Sequence, residues 1–205
     1  LALKAHQISA VAPELAALRG PGTTIVTAQN GIPFWYFAKH GGALQGTVLE
    51  SVDPGGAIAR AIDPDCLLGS IIYPAADVVA PGVVRHVEGD RISLGEIDDR
   101  DTERLRATAA VLREAGFKVR ISTDLRSELW VKLWGNCTFN PISALTHATL
   151  VDICEFPPTR ALAEAMMREA QAVGEALGVK FPVTLERRIA GAAAVGKHKT
   201  SMLQD

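Results

Sequence analysis

Lys132, Asn136 and Asn140 stand at i, i+4 and i+8 in the stretch 128–140, ELWVKLWGNCTFN. At 3.6 residues per turn a helix carries all three on one face, and Glu128 extends the file one turn earlier. Leu129, Trp130, Leu133, Trp134 and Phe139 make most of the remaining surface apolar, which predicts a largely buried helix. An ammonium and two carboxamides lining a cleft can act on a carbonyl and a hydroxyl, because the ammonium brings charge and a proton and the carboxamides bring donors and acceptors. Taken singly, each has an ordinary explanation: a lysine snorkels to water, and an asparagine satisfies a backbone group. Three in file, among Trp130 and Trp134, favour a site. Pro141 is expected to kink the helix just past Asn140 and to open room for a ligand there.

The elements that must position this helix follow from the chain in order. Residues 1–4 read as the end of a strand, and 7–19 as a helix that starts around 9–12 because of Pro13. Residues 23–28 read as a buried strand, ended by Gln29-Asn30-Gly31. This β–α–β order predicts a parallel sheet, whose ligands sit beyond the carboxyl ends of the strands. Lys4 and Asn30 both fall on that edge, although Asn30 also fits a turn that needs a positive φ. Residues 34–40 suggest one helical turn, 43–51 a strand, and 53–65 a run of turns. Residues 67–79, 83–88 and 91–95 read as strands of antiparallel character, 102–115 as an amphipathic helix stopped by Gly116, and 118–122 as a last strand. From Thr123 onward the chain reads as helical, over 124–145, 158–177 and 183–203. The fold class expected is α/β followed by all-α, with the division near residue 123.

Composition excludes several classes. A chain of 205 residues with 48% hydrophobic residues can bury a sizeable core. A net charge of −2 gives no field for nucleic acid, and the apolar runs are too short to span a bilayer. Cys66, Cys137 and Cys154 are far apart, which points to a reducing, cytoplasmic setting without a disulfide framework. The five histidines lack metal-ligand spacing, and His198 with Lys197 and Lys199 reads as a solvated basic face. No GxSxG is present. Gly55-Gly56 invites a phosphate-loop reading, rejected because GxGxxG and GxxxxGK[ST] are absent and no helix is clearly opened there. Without an initiator methionine, a signal-peptide layout or a closing helix cap, both ends read as cut.

Several strings together resemble the ketopantoate reductase (2-dehydropantoate 2-reductase) family. They are LKAHQIS at 3–9, QNG at 29–31, ELWVKLWGNCTFNPISAL at 128–145 and HKTSMLQD at 198–205, with PGVVRHVEG at 81–89 and ISLGE at 92–96 beside them. The resemblance runs end to end and is most specific in the lysine–asparagine block. It implies NADPH-dependent reduction of a 2-keto acid, ketopantoate, to pantoate, a step towards pantothenate and coenzyme A. It implies the later part of a Rossmann-type NADP-binding domain in 1–123 and an incomplete helical substrate and dimerisation domain in 124–205, with the active site between the two. By position, Lys132 matches the catalytic lysine, Asn136 and Asn140 the substrate-binding asparagines, and Ser201 a serine that contacts substrate. Lys4 and Gln7 match positions near the cofactor, and Asn30 the asparagine near nicotinamide and substrate. The sequence departs from the family in lacking the glycine-rich fingerprint and a glutamate expected beyond SMLQD. The partner implied is a small 2-keto acid, with no nucleic acid and no membrane; the apolar excess of the helical half also permits a homodimer, with the oligomeric state left open. Three other readings stay open: another 2-hydroxyacid dehydrogenase of the same two-domain plan, a non-catalytic binding or scaffold protein, and a helical half that is chiefly a dimer interface.

Overall fold

The computed structural model describes residues 1–204, apart from the side chain of Ala16; Asp205, the last residue of the SMLQD string, lies outside the described residues. The chain divides into two compact units, Leu1–Leu125 and Arg126–Asp205.

The first unit opens irregularly. A 3-10 turn at Ala5–Gln7, helix α1 (Ile8–Val11) and a 3-10 helix at Glu14–Leu18 replace the expected single helix over 7–19. Pro13 is the cause, since it lacks an N–H and its ring meets the carbonyl four residues back. Residues 1–4 do not form the expected strand. Leu1 alone joins strand β1 (Ile25–Thr27), donating from its amino group to the Val26 carbonyl at 2.6 Å and accepting from the Ala28 N–H at 2.9 Å. Lys4 therefore precedes a 3-10 turn and does not directly follow a strand.

The expected strand at 43–51 is also absent: a 3-10 turn at Gly42–Leu44 and left-handed backbone at Gly41, Gly42 and Gly46 keep this stretch folded on itself. Helix α2 (Ala57–Ala61) follows, then strands β2 (Leu67–Ile72), β3 (Ala75–Ala80), β4 (Val83–Glu88) and β5 (Arg91–Glu96). The expected strand over 67–79 is split at Tyr73-Pro74, because proline cannot donate to a ladder. Helix α3 (Glu103–Glu114) and strand β6 (Lys118–Ile121) complete the unit, apart from the first residue of the helix that follows.

The main sheet has the order β1-β2-β5-β6 and is mixed, with β1–β2 and β5–β6 parallel and β2–β5 antiparallel. β3 and β4 form a separate two-stranded ribbon. Leu105 and Ala109 of α3 pack with Leu68, Ile92, Leu94 and Val119 of the sheet to make its core. Thr102 caps α3 by accepting from the Leu105 N–H, and Gly116, at φ +97°, ends the turn beyond it. The Glu96 carboxylate is buried and paired with Arg104 at 2.5 Å. Burial by itself pushes the Glu96 carboxyl up, but hydrogen bonds from Arg104 and Thr102 outweigh it and hold the group below the usual carboxylate range. Gly69 of β2 marks a close approach: a Cβ there would run into the Leu125 side chain and the Trp35 ring.

The second unit is helical. Its helices are α4 (Leu125–Asn136), α5 (Phe139–Thr146), α6 (Leu150–Glu155), α7 (Pro157–Ala176), α8 (Leu185–Ala194) and α9 (Ser201–Gln204). Trp134, Phe139, Ile142, Ile153, Met167, Leu185 and Ile189 share one core. The long helix expected over 183–203 stops at Ala194, and Gly196 at φ +80° turns the chain away. The stretch released in this way serves α6, whose Val151 and Leu150 N–H groups donate to the carbonyls of Gly196 and His198. Among the described residues no helix is long and apolar enough to cross a membrane.

Candidate functional site

The lysine–asparagine helix is held by its apolar residues. Leu129, Trp130 and Trp134 of α4 are buried. The Trp134 indole donates to the Met167 carbonyl at 2.6 Å, and its ring centroid lies 4.6 Å from that of Phe181. At the start of α4 the Leu125 N–H donates to the Asp99 carboxylate at 2.9 Å, a contact supplied from a distant loop in addition to what the local sequence suggests. Near its end, Gly135 makes room for the Arg188 guanidinium, which a Cβ would strike.

Lys132 and Asn136 lie one turn apart on α4, and both are half-buried. Burial pulls the Lys132 ammonium down to about 8. The charged form is thus disfavoured on folding, and the unfolded chain keeps a proton between pH 8 and the ordinary lysine range that the folded chain has lost. Stability from this group rises with pH across that window, while the full penalty is present below it. Lys132→Met, which keeps the stem and removes the charge, is expected to raise stability at pH 7 by on the order of 1 kcal/mol. Urea unfolding at pH 7 and pH 10 checks this, since the gain should shrink at the higher pH.

The helical file does not continue to Asn140. α4 ends at Asn136 and α5 starts at Phe139, so the break lies before Asn140 and not after it. Pro141 still explains it: the proline cannot donate to the Cys137 carbonyl four residues back and its ring crowds that carbonyl, so the chain must turn upstream. Thr138, at φ −108° and ψ −68°, takes up the change. Asn140, half-buried, occupies the first turn of α5, so only Lys132 and Asn136 share one helix at i, i+4 spacing. Ser201 is exposed at the start of α9, and α9 packs against α5. The second unit thereby gathers the Asn140 and Ser201 helices side by side, directly after the helix of Lys132 and Asn136. Thr200, which sequence reasoning passed over, is buried, and its hydroxyl has no hydrogen-bond partner among the described residues.

The remaining predicted residues belong to the first unit. The Gln7 side-chain oxygen accepts from the Lys4 N–H at 3.2 Å, so Gln7 has a local role in ending the opening segment. Lys4 itself is exposed. Asn30 is exposed beyond β1, and the positive φ of that turn falls on Gly31 at +86°. The backbone conformation therefore does not require asparagine at position 30.

Gly55-Gly56 does lead into a helix, α2, contrary to the sequence expectation. The helix start is nonetheless taken: the buried Asp53 carboxylate accepts from the N–H groups of Ile58 at 2.7 Å and Ala59 at 2.9 Å. Those donors do not fit a pyrophosphate.

Residues 124–205 match the family described as ketopantoate reductase PanE/ApbA C terminal. Across its whole length the chain is 55% identical to a 2-dehydropantoate 2-reductase of Mesorhizobium japonicum, covering 63% of that protein. Over its whole length the chain is similar to ketopantoate reductases, and its helical unit matches that family's C-terminal part. A solved structure from Ralstonia solanacearum, carrying a provisional ketopantoate reductase description, superposes with a TM-score of 0.96 at 41% identity, covering 100% of this chain and 63% of that one. A D-mandelate dehydrogenase solved with NADH shares the fold, with a TM-score of 0.78 at 17% identity over 98% of this chain and 62% of its own length. The chain is thus the ketopantoate reductase fold in part: a partial Rossmann-type α/β region followed by a helical one.

Proposed function

We propose that this chain carries the substrate-handling side of an NADPH-dependent 2-dehydropantoate 2-reductase, which reduces ketopantoate to pantoate in the cytoplasm. The observation that carries the reading is Lys132: a half-buried ammonium, lowered to about 8, one helical turn from Asn136. Charge grows on the keto oxygen as the carbonyl is reduced, and an ammonium placed there stabilises that charge and gives up its proton. With its affinity for the proton lowered, Lys132 suits this task close to neutral pH. Asn136 and Asn140 bind the hydroxyl and fix the orientation, and Ser201 binds the carboxylate. Lys4, Gln7 and Asn30 are assigned to the cofactor side, with Asn30 also reaching the substrate. NADPH supplies the hydride when bound. Its phosphates call for a glycine-rich helix start, and the sequence of this chain has no GxGxxG. Homodimer formation through the helical unit belongs to the same proposal, since Leu145, Phe156, Leu162 and Val173 are exposed apolar residues that a second copy would cover.

The test is the full-length gene product supplied with NADPH and with ketopantoate, pyruvate or oxaloacetate in turn. The expected result is NADPH oxidation with kcat/KM for ketopantoate at least about tenfold above the other two, a discrimination worth about 1.4 kcal/mol. Preference for another 2-keto acid moves the assignment to a different hydroxyacid dehydrogenase. Tight ligand binding without any turnover moves it to a binding protein.

A further inference from the structure

We propose that Thr200 is a ligand-contacting residue of the same site, its hydroxyl donating to an oxygen of the bound 2-keto acid; this rests on the reductase reading above. Thr200 is 4% exposed, and its Oγ1 is buried without a hydrogen-bond partner among the described residues. The backbone beside it is fully used, since the Thr200 carbonyl accepts from the N–H groups of Leu203 and Gln204, each at 3.1 Å. A threonine directly before a helical turn ordinarily folds its hydroxyl back onto the N–H two or three residues on. Here it does not.

A buried hydroxyl without a partner among the described residues costs the fold of those residues, and valine would fill the same space without that penalty. Packing alone therefore argues against threonine at position 200. A ligand resolves the conflict. Thr200 leads into α9, α9 packs against α5, and α5 carries Asn140 in its first turn. The orphan hydroxyl thus belongs to the helix pair that holds two residues assigned to the substrate, Asn140 and Ser201. A 2-keto acid offers carboxylate and carbonyl oxygens, which are strong acceptors for a hydroxyl donor.

Thr200→Val and Thr200→Ser in the full-length gene product test the assignment, read by steady-state kinetics with ketopantoate at saturating NADPH and by the ligand-free thermal midpoint. T200V is expected to raise KM about tenfold, with a smaller change in kcat and a midpoint equal to or above wild type. T200S, which keeps the hydroxyl, is expected to restore KM. Three results overturn the proposal: an unchanged KM in T200V, a raised KM that T200S fails to restore, or a midpoint lowered by T200V to the point of unfolding, which would make the hydroxyl a support of the fold. If the wild-type protein does not reduce ketopantoate, the reductase reading itself falls. Normal wild-type turnover with an unaffected T200V removes Thr200 alone.

Discussion

Lys132→Ala in the full-length gene product is expected to lower kcat by roughly 10²–10⁴-fold, the range for losing a positioned proton donor, while the dissociation constant for NADPH stays near its wild-type value. The ammonium is held half-buried on a helix clamped by Trp130 and Trp134, and desolvation lowers it to about 8. On the proposed role the protonated form would be the donor, so kcat should be level below pH 8 and fall about tenfold per unit above it, as the donor loses its proton. Lys132→Arg separates the two parts of the role. An arginine stays charged across this range and does not surrender a proton. It should keep part of the charge stabilisation, lose proton donation, and abolish the decline above pH 8. Near-normal turnover in K132A would remove Lys132 from the mechanism, whatever the family relationship.

The sequence made this residue legible because lysine among tryptophans at helical spacing has few ways to be buried without a purpose. Local signals served other elements as well. Thr102, the amphipathic repeat and Gly116 marked α3 within a residue at each end. β4 matched its expected span, Val83–Glu88, since turns at Pro81-Gly82 and Gly89-Asp90 enclose it. The errors share a physical origin in long-range or backward-acting effects. Pro141 disturbs the carbonyl four residues before it, so the break moved upstream of Asn140 and ended the neat three-residue file. Asp99 caps α4 from a loop 26 residues away, a partner that no local pattern announces. Asp53 fills the start of α2, which lay hidden because Gly55 and Gly56 read as a turn. α6 was open to detection from its capping box, Thr149 with Asp152, whose carboxylate accepts from the Thr149 N–H at 3.0 Å. The orphan hydroxyl of Thr200 has no sequence signature, because a buried threonine and an exposed one look alike until the neighbouring helices are in place.

Trp134→Ala is expected to destabilise the helical unit by about 3–5 kcal/mol, a large share of the total for a marginally stable fold. Trp134 is 1% exposed and sits in the core with Phe139, Ile153 and Met167. Truncation removes a full indole, its contact with the Phe181 ring at 4.6 Å, and its hydrogen bond to the Met167 carbonyl at 2.6 Å. Trp134→Phe divides these contributions. It keeps a ring for Phe181 and gives up the hydrogen bond, so it should cost about 1–2 kcal/mol. Urea unfolding measures both, and the thermal midpoint should fall by about 2–4 °C for each kcal/mol lost. The two variants also bear on the site, because Trp134 follows Lys132 by two residues on the same helix. A loosened α4 would let the ammonium reach water, which returns its proton affinity towards the ordinary lysine value. The decline in kcat above pH 8 should then move to higher pH in W134F, with K132A activity unchanged by the second substitution. An unfolding free energy within about 1 kcal/mol of wild type in W134A would mean that α4 is held by something other than Trp134. A shift in stability without a shift in the pH profile would mean that Trp134 supports the fold without tuning Lys132.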